Sequence, residues 1–263
     1  MIDLLKAKQA FKKYVEKYNP EDEKIELKIS HIERVSRIAG EIAKSLNLNE
    51  EDTKLAELIG LLHDIGRFEQ VRIYHTFQDS KSINHGEFGA KLLFEDGLIR
   101  NFIEDNQYDE IIKKAIINHN KGKIDDGLNQ RELLHAKIIR DADKLDIFYI
   151  LTTYSKQAVW ESDDLSNDII SDEIYREFKE DKRIDYKQRK CAADLLVCHF
   201  AYVYDLYFKY TMQEVYKNNY LDKIYKRHHF NDKKTMERYE DIYTTAKKYV
   251  FGAVFGDTFQ KQD

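Results

Sequence analysis

The sequence predicts an all-α protein, and three observations carry that expectation. Helix breakers are scarce, with one proline and ten glycines among 263 residues. Apolar residues return at intervals of three and four along most of the chain, among many Leu, Ile, Lys and Glu. No strand pair, internal repeat or low-complexity linker interrupts them. A chain of this length can bury a sizeable core. We expect one all-α domain over 1–263, with a helical core at about 22–158 and a C-terminal helical lobe at about 160–263.

A first amphipathic helix is expected over about 2–18, with Leu4, Leu5, Phe11, Tyr14 and Val15 on its apolar side and Asn19-Pro20 ending it. A longer helix over about 25–46 presents Ile32, Val35, Ile38, Ala39, Ile42 and Leu46. Asn49 caps the next, which carries Leu55, Leu58, Ile59 and Leu62 and stops near Gly66. Residues 67–84 show no period and read as a loop of functional length. Helices follow at about 85–96, 107–119 and 130–158, the last two separated by the loop Lys121–Gly127. Beyond about 160 the chain becomes charged and Tyr-rich, with helices at about 168–179, 186–217 and 232–250.

Hydrophobic residues at 42% and aromatics at 13% indicate a globular chain rather than a disordered one. A formal net charge of −5 argues against extended nucleic-acid binding, which wants a basic surface. It leaves room for a small nucleotide held by a few cations. Cys191 and Cys198 sit seven residues apart in a helical pattern and read as thiols of a reducing cytosol, not as a disulfide framework. The first residues lack a signal-peptide core, and no apolar run approaches the ~20 residues that span a bilayer. The expectation is a cytoplasmic protein without a membrane segment.

Six residues stand out: His31, His63, Asp64, His85, His119 and Asp143. His31 lines up with Val35 and Ile38, His63 with Leu55 and Ile59, His119 with Ile112 and Ala115, and Asp143 with Ile139, Ile147 and Ile150. These four therefore lie on apolar faces of separate helices. His85 opens another helix, and Asp64 adjoins His63. Any one such histidine is more often a core residue with a hydrogen-bond partner than a ligand. Several together would each cost a few kcal/mol to bury unpaired. Asp64 falls in the last turn of its helix, where the dipole disfavours an anion by ~0.3–1 kcal/mol. A shared metal centre answers all of these costs. Mixed imidazole and carboxylate ligands suit Mn, Fe, Co, Ni or Zn.

The string His63-Asp64-Ile65-Gly66-Arg67 resembles the dyad of the HD superfamily of metal-dependent phosphohydrolases. His31 matches its first histidine, one helix upstream. Ile139-Arg140-Asp141-Ala142-Asp143-Lys144-Leu145-Asp146 resembles the closing Ala-Asp-x-Leu segment, with Asp143 at the ligand position. Helical phase agrees, since Asp141 shares its face with Lys137 and Lys144 whereas Asp143 shares its face with isoleucines. Asp146, one turn on, is a candidate to support the ligands. His85-Gly86-Glu87-Phe88-Gly89-Ala90 and Ile116-Ile117-Asn118-His119-Asn120 resemble the two further histidine segments of dinuclear members. The resemblance spans roughly 25–150. The Gly-Tyr-Pro element of HD-GYP enzymes is absent, Lys121 to Gly127 standing there instead, which argues against a cyclic dinucleotide.

The resemblance implies an HD-domain helical bundle with a C-terminal lobe and one or two divalent transition-metal ions. His31, His63, Asp64 and Asp143 would hold one ion, and His85 and His119 a second, with Asp64 bridging. It implies a phosphohydrolase that cleaves a phosphomonoester or phosphodiester, most plausibly of a nucleotide, by attack of a metal-bound hydroxide. Asp64 and Arg67 are the expected catalytic residues, Arg67 facing substrate phosphate with its planar fork. The alternative is a di-iron oxygenase of the same fold acting on a small polyol or phosphonate.

Gln70, Arg72, His75 and Lys81 follow the dyad and are expected to be solvated, as are Lys121 and Lys123. Arg34 reads as structural, and His135 and His199 as core. His228-His229 reads as a polar helix end, and Tyr202, Tyr204, Tyr207 and Tyr210 as packing.

Overall fold

The computed structural model describes residues 2–19, 21–160, 162–180 and 182–256. Among these it is all helical, with no strand. No helix among them is long and apolar enough to cross a membrane. Pro20, expected to end the first helix, lies outside the described residues. The chain forms two compact units, Met1–Asp143 and Lys144–Asp263.

The first unit begins with α1, Leu4–Val15, capped by the Asp3 side chain on the backbone N–H of Lys6. Ala7, Phe11, Tyr14 and Val15 are buried, whereas Leu5 is 69% exposed and falls outside the apolar stripe expected for it. Asp22 caps α2, Glu23–Ser45, and Asn49 caps α3, Glu50–Leu62, on the N–H of Asp52. These two helices form the densest packing of the unit. They approach so closely that a Cβ on Gly60 would stand 2.7 Å from the backbone of Ser36. Ser36 turns this proximity into a bond, its hydroxyl donating to the carbonyl of Glu57 at 2.7 Å.

Gly66 does not close α3. That helix ends at Leu62, and Gly66 opens a new helix, α4, Gly66–Tyr74, inside the segment expected to be loop. Phe68 and Val71 anchor α4, but fully buried Gln70 stands between them, and a polar residue on the inner face hides the period. A single 3₁₀ turn follows at Asp79–Lys81. Asn84 caps α5, His85–Ala90, and the helix expected through 96 loosens to π geometry over Lys91–Glu95. Gly66 lets α4 and α5 touch, since a Cβ there would lie 2.6 Å from the carbonyl oxygen of His85. α6, Asp109–Asn118, packs on α5.

α7, Gln130–Thr153, contains the division between the two units and ends before Ser155, short of the expected 158. The second unit continues with α8, Lys156–Trp160, and α9, Asp172–Glu180. The expected helix over 186–217 is in fact α10, Ala192–Ala201, and α11, Lys209–Lys217, joined through a 3₁₀ turn and extended Leu206. α12, Tyr220–Lys226, and α13, Lys233–Phe255, complete it. α13 runs along α10, α11 and α12. Tyr239 on α13 meets Phe200, Tyr225 and Phe230 at ring distances of 5.2–5.8 Å. Aromatic packing explains why this segment is so rich in tyrosine: Tyr204, for example, lies against Phe178 and Tyr249. His228, expected at a polar helix end, is instead buried edge-on against Trp160, with ring centroids 4.7 Å apart. Cys191 and Cys198 are free thiols.

Candidate metal centre

Four of the six singled-out residues, His63, Asp64, His85 and His119, stand at helix ends or in the turns between helices of the first unit. Asp143 lies inside α7 and His31 inside α2, and the close α2–α3 packing brings the His31 ring to 5.4 Å from that of His63. His63 is the C-cap of α3, and its Nδ1 lies 2.8 Å from the carbonyl oxygen of Gly60. A carbonyl only accepts, so Nδ1 carries the proton and Nε2 is left as a lone pair. His119 is likewise the C-cap of α6, at the end expected for that helix, with Nδ1 donating to the carbonyl of Ile116 at 2.6 Å. His85 opens α5 and donates from Nδ1 to Asp79 Oδ2 at 2.6 Å. All three rings therefore turn Nε2 toward one place.

Asp64 occupies that place. It sits in the turn between α3 and α4, just past the helix end rather than within its last turn. The N-terminus of α4 then offsets the unfavourable end of α3. Asp64 Oδ2 lies 3.6 Å from Nε2 of both His31 and His63. Asp64 Oδ1 lies 3.3 Å from Nε2 of His85 and 3.6 Å from that of His119. One ligand atom from each of His31, His63 and Asp64 falls within 4.8 Å of the others, and the same holds for Asp64, His85 and His119. Asp143, on α7, places Oδ1 3.2 Å from His31 Nε2 and 3.8 Å from His63 Nε2. Asp141, expected on a lysine-bearing face, is fully buried as well. Asp146 is buried too, in the second unit.

The electrostatics fit a cation site. Burial pushes the imidazolium form of His63 down to about 4 and that of His85 down to about 3, so both rings are neutral ligands near pH 7. Burial opposes the charge on Asp64, but the ammonium of Lys28 and the His63 ring override it, and its pKa lies well below the ordinary carboxylate value. Asp143 is held low in the same way, burial being outweighed by the His31 ring. Buried His63 Nε2 and Asp64 Oδ1 find no hydrogen-bond partner among the described residues. Two neutral imidazoles with two carboxylates and orphaned lone pairs suit a divalent transition metal better than Ca²⁺.

Three supporting residues escaped the sequence reading. Lys28 pairs with Asp64 Oδ2 at 2.7 Å, and its position one turn before His31 was a usable signal. Asp79 supports His85 from a segment without periodicity. Arg140 is almost wholly buried and donates to the carbonyls of Asn118 at 2.8 Å and Lys121 at 2.5 Å, fixing the end of α6 that carries His119.

Arg67 lies beside the centre, with Nε 3.6 Å from Asp64 Oδ1. Its NH1 donates to Gln70, to the carbonyl of Phe77 and to Asp79. Gln70 is buried in this network rather than solvated. Arg72 pairs with Glu69, Lys121 with Asp125 and Lys123 with Asp126, while His75 and Lys81 are exposed. His135 is buried 3.1 Å from Asp52, and His199 is buried.

No curated protein and no solved structure matches the chain. The family model of the HD domain matches residues 29–147, from just before His31 to just beyond Asp143. That family consists generally of metal-dependent hydrolases, and the buried histidine–aspartate cluster is compatible with their divalent metal. Over residues 29–147 the chain is therefore similar to the HD domain, and its buried cluster fits a metal site of that kind.

Proposed function

We propose that the protein is a phosphohydrolase that uses two divalent ions to cleave a phosphomonoester or phosphodiester, most plausibly of a nucleotide. The observation that carries this reading is the division of Asp64, whose Oδ2 faces His31 and His63 while Oδ1 faces His85 and His119. His31, His63, Asp64 and Asp143 would hold one ion, and Asp64, His85 and His119 the other. When bound, such a pair acidifies a water and draws charge from phosphoryl oxygens.

The chain's own groups supply the rest. The Nδ1–H bonds of His63, His85 and His119 hold the rings in the tautomer that ligates. Arg67 and Lys28 bring two positive charges to the edge of the cluster, where an anionic substrate is attracted. Arg67 is tied by NH1, so its contribution is a fixed guanidinium beside Asp64 rather than a mobile clamp.

The test is a screen of p-nitrophenyl phosphate esters and nucleotides with Mn²⁺, Co²⁺ and Ni²⁺, alongside metal analysis and an oxygen electrode. Ester cleavage without O₂ uptake is expected. Oxygen consumption stoichiometric with product would establish the di-iron oxygenase instead. Tight nucleotide binding without turnover would mark a regulator.

A further inference from the structure

We propose that Asp79 is the positioning residue of the His85/His119 metal position and sets the affinity there separately from that of the His31/His63 position. The inference rests on the two-ion reading above. His63 and His119 are each steadied by a carbonyl three residues earlier in their own helix, a neutral anchor built into the backbone. His85 has no such carbonyl, because it is the first residue of α5. Its Nδ1–H donates instead to the Asp79 carboxylate at 2.6 Å. A charged acceptor makes the stronger bond and leaves Nε2 the better donor to a cation. It also fixes the ring so that Nε2 stands 3.3 Å from Asp64 Oδ1 and 2.9 Å from His119 Nε2.

Asp79 is itself held on both oxygens. Oδ1 accepts from Arg67 NH1 at 2.8 Å and from Gln70 Nε2 at 3.0 Å. Oδ2 accepts from Asn120 Nδ2 at 3.3 Å and the backbone N–H of His85 at 3.4 Å. Gln70 reaches on to Ser82 Oγ and the carbonyl of Ile83, and Arg67 to that of Phe77. The carboxylate thus joins the segment after α4 to both α5 and the end of α6. None of these bonds, among the described residues, runs to α2 or α3, which carry His31 and His63. Disturbing Asp79 should therefore loosen one metal position and spare the other.

The experiment titrates chelator-stripped protein with Mn²⁺ by calorimetry, counts retained ions by metal analysis, and follows Mn–Mn spin coupling by electron paramagnetic resonance. Wild type is expected to take up two ions. Asp79→Ala should keep the tighter ion within about twofold and bind the second about 10–100-fold more weakly, with the coupled signal lost. Asp79→Asn keeps the volume and an acceptor oxygen without the charge; it should fall between the two, and it carries the same test if the alanine variant does not fold. A second ion bound by both variants as tightly as by wild type overturns the inference. So does a parallel fall of both affinities, which marks a merely structural residue. A wild-type protein that binds a single ion overturns the two-ion reading first, and the assignment of Asp79 with it.

Discussion

The Nε2 atoms of His85 and His119 face each other at 2.9 Å, although each ring carries its proton on Nδ1. Two lone pairs at that distance repel, and neither has a proton to share in the neutral tautomer. The contact makes physical sense when a cation draws both nitrogens, and Asp64 Oδ1 completes the third side. The fold imposes it through two independent anchors, Asp79 for His85 and the Ile116 carbonyl for His119.

Asp64→Asn removes the charge that serves both halves of the centre. Metal analysis of the purified variant should find both ions lost together, with ester cleavage lost too. Loss of one ion alone would show that Asp64 does not bridge.

Gly66→Ala should be far more damaging than an exposed glycine substitution. Its Cβ would meet backbone atoms at 2.6 Å from His85 and 2.7 Å from Gly89, so α4 and α5 must move apart. Overpacking of this kind costs about 1–3 kcal/mol, readable as a lower midpoint in urea. Gly122→Ala, which has open space around it, is the control and should leave the midpoint within about 0.5 kcal/mol.

Arg140→Lys is not a conservative change. The guanidinium reaches the carbonyls of Asn118 and Lys121 from one nitrogen while almost fully buried. A lysine places its charge differently and leaves carbonyls at the end of α6 unsatisfied. We expect a loss of about 2–3 kcal/mol in chemical unfolding, together with weaker metal uptake through the displaced His119.

Acid should destabilise the second unit through His199. Burial, with Arg189 nearby, lowers its pKa from 6.5 to about 3. Between those values the unfolded chain binds the proton and the folded one does not. The stability this ring contributes is therefore present above its unfolded pKa and is lost as pH falls toward the folded one. Going from about pH 7 to about pH 5 should cost roughly 2 kcal/mol at this residue. His199→Leu should flatten that part of the profile in urea titrations monitored by circular dichroism. An unchanged slope would contradict the assignment.

The residues of the centre were legible because ligand chemistry is written in residue type. His31, His63, Asp64, His85, His119 and Asp143 fall in order, four of them (His31, His63, His119 and Asp143) at helical spacing from apolar residues, and the structure brings the six together. The caps at Asn49 and the loop at Lys121–Gly127 were equally readable, since they depend on neighbours close in sequence. Helix ends inside long amphipathic stretches were not, as at Leu206, where no proline or glycine marks the break.

Sequence alone determined the helical class and the supply of imidazoles and carboxylates. Only the tertiary structure decided what each of them faces. Periodicity places a residue on a face of its own helix but does not fix the crossing of two helices. Lys28 thus meets Asp64, 36 positions further along the chain, and Asp79 meets His85 from a segment with no period at all. Gly60 and Gly66 set those approaches, through contacts between backbones that residue patterns do not encode. The division of one carboxylate between two pairs of histidines is a property of that packing.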